Sequence, residues 1–310
     1  MPIRTGEEYI QSLRGRKIKV YLFGELVKEP VDHPMIRPSI NAVAETYNVA
    51  STSPELASAR SSLTGKEVNR FLHIAESADD LVNQNRMQRK LGQLTGTCFQ
   101  RCVGMDALNS LYSTTFEIDK KFGTAYHERF KTFVKKMQDD NLVIGGAMTD
   151  VKGDRSLSPS QQEDPDLFVH ISKRDQNGIY ISGAKAHQTG CINSHWILVM
   201  PTMRLRDEDK QYAFVGAIPA DAEGITYIYG RQSCDTRSME SGDLDAGNSK
   251  FSGQEAMIIF DNAFIPNDLV FMDGEYEFAS MLVERFTCYH RRSYVCKTGL
   301  GDVLIGAAAS

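Results

Sequence analysis

The chain of 310 residues is 41% hydrophobic and 24% charged, which is typical of a globular protein with sizeable cores and argues against disorder. Its formal charge of -5, with both signs interspersed, offers no electrostatic footprint for nucleic acid or an anionic membrane. The N-terminal segment lacks the apolar region of a secretory signal, and no stretch reaches the roughly 18 apolar residues of a membrane span. We therefore expect a cytoplasmic protein whose six cysteines are reduced, buried or metal-bound rather than paired in disulfides.

The first 140 residues are predicted to be mainly helical. Thr5 and Glu8 form a capping-box pattern, which predicts a short helix. The alternating run KIKVYLF then meets Gly24, so residues 17–28 are predicted to form a strand and a turn. Apolar residues at three- and four-residue intervals predict helices in SADDLVNQNRMQRKLGQL, CFQRCVGMDALNSLYSTTF and AYHERFKTFVKKMQDD.

The pattern changes near Asn141. The segments that follow are short, rich in β-branched and aromatic residues, and separated by Gly, Asn, Asp or Pro: LVIGGAMTD, DLFVHISKRD, GIYISGAKAH, HWILVMPTM, QYAFVGAIPA, GITYIYG and AMIIFDNAFI. They predict a compact antiparallel barrel or sandwich. From about Tyr276 the pattern is helical again. We therefore expect an α+β chain with a mainly helical domain at 1–140, a β-domain at 141–275 and the beginning of a C-terminal helical domain at 276–310.

A cysteine pair is the first candidate for chemistry. Cys98 and Cys102 are four residues apart, so a continuous helix would place both thiols on one face, close enough to bind one metal centre. Two small buried cysteines are an equally simple interpretation. His290 and Cys296, on a distant segment, could complete a set of four ligands, and Cys288 could compete with them. Structural zinc also accepts three cysteines and one histidine.

The segment MTDVKGDRS is a second candidate site. Gly153 permits a tight turn, while Thr149, Lys152, Arg155 and Ser156 can donate hydrogen bonds to a phosphate or a flavin ring. The pattern matches neither a P-loop nor a Rossmann fingerprint, and a polar hairpin loop would explain it as well.

Six motifs together resemble a known family. They occur in the family's order along essentially the whole chain: RTGEEYIQSLRGR, TGTCFQRCVGMDALN, TDVKGDRS, GAKAHQTGCINSHW, GQEAMIIFDNAFIPND and YHRRSYVCKTGLGD. They resemble the 4-hydroxybutyryl-CoA dehydratase and 4-hydroxyphenylacetate 3-monooxygenase family, and the cysteine motifs resemble those of its dehydratase branch. The resemblance implies an acyl-CoA dehydrogenase-like fold with an N-terminal helical domain, a central β-domain and a C-terminal helical bundle.

The resemblance also implies a set of site residues. A four-iron four-sulfur cluster would be held by Cys98, Cys102, His290 and Cys296. FAD would be contacted by two segments that contain Met148, Thr149, Asp150, Lys152, Asp154, Arg155 and Ser156, and Gln188, Thr189 and Gly190. The implied catalytic residues are His290, Glu255, Tyr294, Lys297 and Gln100. Without the resemblance, paired surface charges, a packed aromatic ring and a turn contact would be the simpler interpretations of the last four.

The implied activity is the radical dehydration of 4-hydroxybutyryl-CoA to crotonyl-CoA by a homotetramer, with isomerisation of vinylacetyl-CoA as a related reaction. His290 would be the general base, Glu255 would position or relay a proton, and Lys297 would stabilise negative charge. Two alternatives stay open. One is a flavin-dependent aromatic hydroxylase component without a cluster, and the other is an inactive truncated chain whose cysteines bind zinc or nothing.

Two features depart from the family pattern. His290 and Cys296 are six residues apart here where the family has seven, and on a continuous helix six residues leave side chains about 120° apart. A bulge or a helix break would be needed to restore the geometry. The family's C-terminal bundle is also expected to continue well beyond GDVLIGAAAS, so we expect a fragment, a truncated gene product or one part of a split enzyme, with weak FAD retention and poor activity of this chain alone.

Overall fold

The computed structural model describes residues 2–230, 232–240 and 242–310. Its helices are α1 (Gly6–Ser12), α2 (Arg37–Thr52), α3 (Pro54–Ala57), α4 (Ala78–Thr95), α5 (Cys102–Phe122), α6 (Tyr126–Asp140), α7 (Ala246–Lys250), α8 (Glu277–Ser293) and α9 (Val295–Ala309). Its strands are β1 (Val20–Leu22), β2 (Glu25–Val27), β3 (Ser58–Arg60), β4 (Glu67–Asn69), β5 (Ile144–Ala147), β6 (His170–Arg174), β7 (Gly178–Thr189), β8 (Trp196–Val199), β9 (Phe214–Pro219), β10 (Ile225–Tyr229), β11 (Glu255–Pro266) and β12 (Val270–Asp273). Over these ranges, no helix combines the length and apolar character needed to cross a membrane.

Local signals in the sequence account for several boundaries. The predicted capping box is confirmed, because the Thr5 hydroxyl accepts from the Glu8 backbone N–H and the Glu8 carboxylate accepts from the Thr5 backbone N–H. Helix α4 begins with a second reciprocal cap between Ser77 and Asp80, and it ends at Gly96 in the left-handed conformation. Each predicted helical or β segment contains an observed helix or strand, whereas the short strands β3, β4 and β12 were not predicted.

The strands form two main open sheets rather than the barrel that was one of the two predicted arrangements. One sheet has the order β2-β1-β10-β11-β7-β6, and the other has the order β12-β9-β8-β5. Two strand pairs, β1 with β10 and β5 with β8, are parallel, so the sheets are mixed rather than purely antiparallel. Within the described residues no ladder joins the edges of the two sheets, and the barrel is therefore not confirmed.

The largest core lies between the two sheets. It contains Ile181 and Ile258 of the six-stranded sheet together with Ile197 and Phe214 of the four-stranded sheet, all of them almost fully buried. A second core packs α5, α6 and α8 against the other face of the four-stranded sheet. The strands β1 and β2 extend the large sheet, so residues from the first 140 contribute to the β-core. The proposed division into domains at 140 and 275 stays a prediction.

A buried neutral histidine fastens the N-terminal helix to this core. The Val143 backbone N–H donates to His195 Nδ1 at 3.0 Å, which leaves Nε2–H to donate to Ser12 Oγ at 2.8 Å. Burial, with smaller contributions from the charges of Arg16 and Arg101, lowers the pKa of His195 to about 3. The folded protein therefore holds this imidazole in its neutral form.

We expect His195 to make the fold labile to acid. Its folded pKa of about 3 lies below the ordinary value of 6.5, so the unfolded chain binds a proton that the folded chain does not. The contribution of His195 to stability is thus complete above pH 6.5 and falls as pH decreases from there towards 3, by at most about 1.4 kcal/mol per pH unit. Urea unfolding at several pH values should show this slope, and His195→Asn should flatten it. His187→Asn, at an exposed position, serves as the control and should leave the slope unchanged.

Candidate active site

The predicted helical cysteine pair is not on one helix. Helix α5 begins at Cys102, and Cys98 lies in the preceding loop. Gln100 has a φ of +69°, a left-handed conformation that a right-handed helix cannot contain, so the helix cannot extend back to Cys98. The expectation of one shared helical face was therefore wrong.

The loop nevertheless brings the two thiols together. Phe99, Gln100 and Arg101 are all at most 2% exposed, so they anchor the loop while Cys98 stays only partly buried. The Cys102 thiol donates a hydrogen bond to Cys98, which lowers the pKa of Cys98 and raises that of Cys102 well above its usual range. Two interacting thiols, one of them with a lowered pKa, are suited to bind a metal centre.

The third cysteine of the predicted ligand set, Cys296, lies on helix α9. Gly92 of α4 and Gly299 of α9 let the two helices approach so closely that a Cβ at either position would lie 2.1 Å from a backbone carbonyl oxygen of the other helix. This crossing places Cys296 in the core that also contains Phe99. Burial raises the pKa of Cys296 to about 11, and the negative charge of nearby Cys98 contributes to the same direction. Three of the four predicted ligands are thus in one region.

His290 lies beside this region on helix α8. Its Nδ1 is 3.0 Å from the Oδ2 atom of Asp106, which is fully buried one helical turn after Cys102 on α5. Its ring also packs against Phe286 and Tyr294, with centroid distances of 5.2 Å in both cases. A carboxylate and two aromatic rings therefore fix the imidazole on the helix that faces α5.

The chain between His290 and Cys296 contains the break that their spacing requires. Helix α8 ends at Ser293, helix α9 begins at Val295, and Tyr294 lies between the two. The Lys297 ammonium lies 4.4 Å from the centroid of the Tyr294 ring, and its positive charge lowers the pKa of both Cys98 and Cys296, though it is not the largest influence on either. Tyr294 and Lys297 are therefore next to the cysteines, as predicted, although their catalytic roles stay a prediction.

The side chain of Gln100 connects the cysteine loop to three other segments. Its Nε2 donates to the backbone carbonyls of Ser39 at 2.9 Å and Ser252 at 3.2 Å, and its Oε1 accepts from Asn193 Nδ2 at 2.7 Å. The close approach of Gly190, where a Cβ would lie 2.7 Å from Gln100 Cβ, completes the contact. Together these groups hold the loop against helix α2 and the β-domain, so the side chain of Gln100 fixes the position of the cysteine loop.

Glu255 is a half-buried carboxylate at the start of β11. Its Oε1 accepts from Thr189 Oγ1 at 2.6 Å, while its Oε2 is buried without a hydrogen-bond partner. Burial raises the pKa of Glu255, and the hydrogen bond from Thr189 opposes that shift. Glu255 is also close enough to Cys98 for its charge to raise the pKa of that thiol. A carboxyl group in this state can hold or release a proton beside the cysteines.

Two segments predicted to contact FAD are joined by Gln188. The Met148 backbone N–H donates to Gln188 Oε1 at 2.9 Å, and Gln188 Nε2 donates to the Thr149 carbonyl at the same distance. In the sheet, Thr189 lies directly opposite Glu255, so this end of β7 links the Met148 segment to the carboxylate. The structure thus brings the two predicted FAD segments to the same place as Glu255.

A buried ion pair that the sequence analysis did not anticipate as such supports the first of these segments. Lys185 Nζ lies 2.7 Å from Asp150 Oδ1, and both side chains are at most 4% exposed. The ammonium also donates to the carbonyls of Met148 at 2.7 Å and Met200 at 2.9 Å. Burial lowers the pKa of Lys185, and the charge of Asp150 opposes that shift. Asp150 therefore shapes the backbone of the segment from within the core.

The remainder of the segment is a polar turn at the surface. Lys152 and Gly153 have positive φ values, and Asp154 Oδ1 accepts from the Ser156 backbone N–H at 2.8 Å and from its hydroxyl at 2.7 Å. Arg155 and Ser156 border a cavity of about 360 Å³ to which two further arginines, Arg204 and Arg206, also contribute. Arg204 and Arg206 were not identified from the sequence, because their motif MRLRDED has no recognisable spacing.

The other cysteines are separate from this site. Cys191 and Cys234 are almost fully buried, and Cys288 is exposed. Across the three described ranges, no group of three or more His, Cys, Asp or Glu side chains is arranged to hold a single metal ion. The convergence of Cys98, Cys102 and Cys296 is therefore a looser arrangement than a preformed site for one ion.

Comparisons with known proteins agree with these motifs. The 4-hydroxybutyryl-CoA dehydratase/vinylacetyl-CoA-Δ-isomerase of Clostridium aminobutyricum is 56% identical over 311 residues, covering 99% of this chain and 64% of that protein. A solved structure of an oxygen-tolerant archaeal 4-hydroxybutyryl-CoA dehydratase from N. maritimus has a TM-score of 0.97 at 77% identity, covering 99% of this chain and 61% of that chain. The chain thus spans less than two thirds of the length of both relatives.

More distant structures share the fold. The FAD complex of the oxygenase component of 4-hydroxyphenylacetate 3-monooxygenase has a TM-score of 0.84 at 20% identity, covering 99% of this chain and 64% of that chain. A glutaryl-coenzyme A dehydrogenase has a TM-score of 0.50 at 11% identity over 76% of this chain and 52% of that one. The likeness to an acyl-CoA dehydrogenase fold is thus confirmed. The sequence model of the family described as 4-hydroxyphenylacetate 3-hydroxylase N terminal matches residues 5–272, and the chain therefore belongs to that family.

Proposed function

We propose that this chain carries the FAD-binding and iron-sulfur part of an enzyme that dehydrates 4-hydroxybutyryl-CoA to crotonyl-CoA and isomerises vinylacetyl-CoA. The observation that carries the proposal is the convergence of Cys98, Cys102 and Cys296 beside the half-buried carboxylate Glu255. A relative that is 56% identical over 99% of this chain is named for these two reactions. As in the family resemblance, we propose that the enzyme acts as a homotetramer.

The donor set fits a four-iron four-sulfur cluster. Three thiols and one imidazole are ligands that iron-sulfur centres accept, with Cys98, Cys102 and Cys296 as the thiolates and His290 as the nitrogen ligand. Cluster ligands surround a cube of atoms, so they stand further apart than the ligands of a single ion, and the looser arrangement of the cysteines is compatible with a cluster. A single structural zinc ion would need the four donors to gather more tightly.

The two β-domain segments fit FAD. The Oε2 atom of Glu255 is buried without a partner next to Thr189, which leaves an acceptor directed at a site that a bound group can complete. The surface turn presents Arg155 and Ser156 to the cavity of about 360 Å³, where Arg204 and Arg206 supply further positive charge for a phosphate group. Relatives of 20% identity bind FAD in their solved structures. We propose the ten residues of the Met148 and Gln188 segments as the FAD contacts.

The side chains of this chain would divide the proton chemistry between them. The thioester carbonyl acidifies the α-carbon but not the β-carbon. We propose that His290 Nε2 takes the α-proton when it is not coordinated to the cluster, because one lone pair cannot bind iron and a proton at the same time. Glu255, whose pKa is raised by burial, would hold and relay a proton on Oε2, and Lys297 would stabilise negative charge near the thioester. A bound FAD would supply reversible one-electron chemistry that no side chain can perform, with the electron returned to the substrate because dehydration is redox-neutral overall, and a bound cluster would supply Lewis acidity for the departing hydroxyl group.

The proposal is tested by measuring the cofactor content of the protein together with its turnover of 4-hydroxybutyryl-CoA. The protein that carries this chain would be purified without oxygen, and its iron, acid-labile sulfide and flavin would be measured per chain. Its conversion of 4-hydroxybutyryl-CoA to crotonyl-CoA would then be followed. Iron, sulfide and FAD with turnover support the proposal. FAD without iron, together with hydroxylation of a phenol, would replace it with a flavin monooxygenase, and zinc or no metal without flavin would overturn both.

A further inference from the structure

Asp106 is a buried carboxylate that the proposed chemistry has not yet used. It is fully buried on α5, and among the described residues its side-chain partners are all on helix α8. Oδ2 lies 3.0 Å from His290 Nδ1, and Oδ1 accepts from Ser293 Oγ at 2.8 Å and Arg292 Nη2 at 3.5 Å. A carboxylate in this setting is acceptor-only, so each of the three contacts requires the α8 group to donate a proton.

The contact with Asp106 decides which nitrogen of His290 carries the proton. Because Oδ2 accepts, Nδ1 is the protonated nitrogen, and the neutral ring then has a lone pair on Nε2. A lone pair on Nε2 is what a metal ligand or a general base needs. Histidines that bind metals usually donate their other ring N–H to a carboxylate, which fixes both tautomer and orientation.

The position of Asp106 on its helix strengthens this interpretation. It follows Cys102 by four residues on α5, so the carboxylate lies one helical turn from a proposed cluster ligand. A surface ion pair would tether α5 to α8 equally well, and Ser293 and Arg292 already provide a tether. The contact to His290 is therefore not needed to join the helices.

We propose that Asp106 is a positioning residue that holds His290 in the Nδ1–H tautomer with Nε2 directed at the cluster and the substrate. Holding this tautomer matters for function only if His290 is a ligand and a base, so the inference rests on the proposed function. The tautomer itself is a property of this chain and can be measured separately. Asp106 does not contact the reacting atoms in this account.

The variant Asp106→Asn tests the inference with nearly unchanged shape. Ser293 and Arg292 both donate to Oδ1, so they should retain the amide oxygen of Asn at that position. The amide NH₂ would then face His290 and donate to Nδ1, which forces the ring proton onto Nε2. Ser293→Ala is the matched control, because it removes a hydrogen bond to the same carboxylate without touching His290. Far-UV circular dichroism would establish that each variant is folded.

If the anaerobic protein contains iron, cluster retention is the readout. We expect Asp106→Asn to lose its cluster to an iron chelator at least about tenfold faster than the wild type, since loss of such a carboxylate commonly costs 10- to 100-fold in metal affinity. With ¹⁵N-labelled histidine, the reduced cluster should lose its nitrogen coupling in electron spin echo spectra. Ser293→Ala should keep both properties. The inference would be overturned if Asp106→Asn retained its cluster as long as the wild type and showed the same nitrogen coupling.

If the protein contains no iron, the proposed function fails but the inference remains testable. Two-bond ¹H–¹⁵N spectra of the same labelled protein report the tautomer, with the signal of His290 assigned from its absence in His290→Gln. We expect Nδ1–H in the wild type and a shift towards Nε2–H in Asp106→Asn. A wild-type His290 that is mainly Nε2–H would refute the role of Asp106, and this result does not depend on the folding of Asp106→Asn.

Discussion

Cys98→Ser is expected to remove most of the iron and acid-labile sulfide from the anaerobically purified protein. Cys98 is only partly buried, and the hydrogen bond from Cys102 lowers its pKa, so its sulfur is accessible and more easily deprotonated by a metal. Serine keeps nearly the same shape but offers a hydroxyl, which is a poor ligand for an iron-sulfur centre. Loss of a side chain that only hydrogen-bonds to a metal ligand commonly lowers metal affinity 10- to 100-fold. Loss of the ligand itself should therefore lower the affinity by more than about tenfold. Iron and sulfide analysis per chain provides the measurement.

Cys288→Ser is the matched control for this experiment. Cys288 is exposed on helix α8, two residues before His290, so it tests whether any cysteine in this part of the chain holds the metal. We expect its iron content to equal that of the wild type. Should Cys98→Ser keep its full iron and sulfide, the ligand set would be wrong. If Cys288→Ser lost the iron instead, Cys288 would replace Cys98 in the ligand set.

The second large effect is expected at the ion pair beneath the proposed FAD segment. Asp150→Asn leaves the Lys185 ammonium, which is 2% exposed, without its counter-charge. Removing one partner of a buried pair commonly costs about 3–5 kcal/mol, because the remaining charge is not compensated. We also expect weaker FAD binding, because Lys185, which now donates to the Met148 carbonyl at 2.7 Å, would lose the counter-charge that fixes its position. Urea unfolding and flavin titration measure the two effects.

A double substitution separates the charge from the shape of this site. Asp150→Asn combined with Lys185→Met removes both charges, so much of the lost stability should return, whereas FAD binding should stay weak because the hydrogen bond to Met148 is gone. Lys173→Met, at an exposed position of β6, is the control and should leave both properties unchanged. A free energy of unfolding in Asp150→Asn equal to that of the wild type would show that Lys185 is stable without Asp150.

The cysteine motif shows how far sequence reasoning reaches. The motif TGTCFQRC identified the two thiols and the resemblance assigned them a shared task, and the structure places them in contact. The helical interpretation of their spacing was wrong, since Gln100 adopts a left-handed conformation. That conformation is maintained by hydrogen bonds to Ser39, Ser252 and Asn193, which lie far from Gln100 in sequence. No local pattern could have predicted it.

The sequence by itself determined what depends on neighbouring residues. The reciprocal cap of Thr5 and Glu8, the periodic apolar positions of α4 and the β-rich segments after Asn141 act over a few residues, so their patterns predicted the elements. Only the tertiary structure decided the order of strands in the two open sheets and the contact of His290 with Asp106, which are 184 residues apart. Such pairs form because packing and burial select them, and a linear pattern carries no record of which distant charge or hydrogen-bond partner will be available.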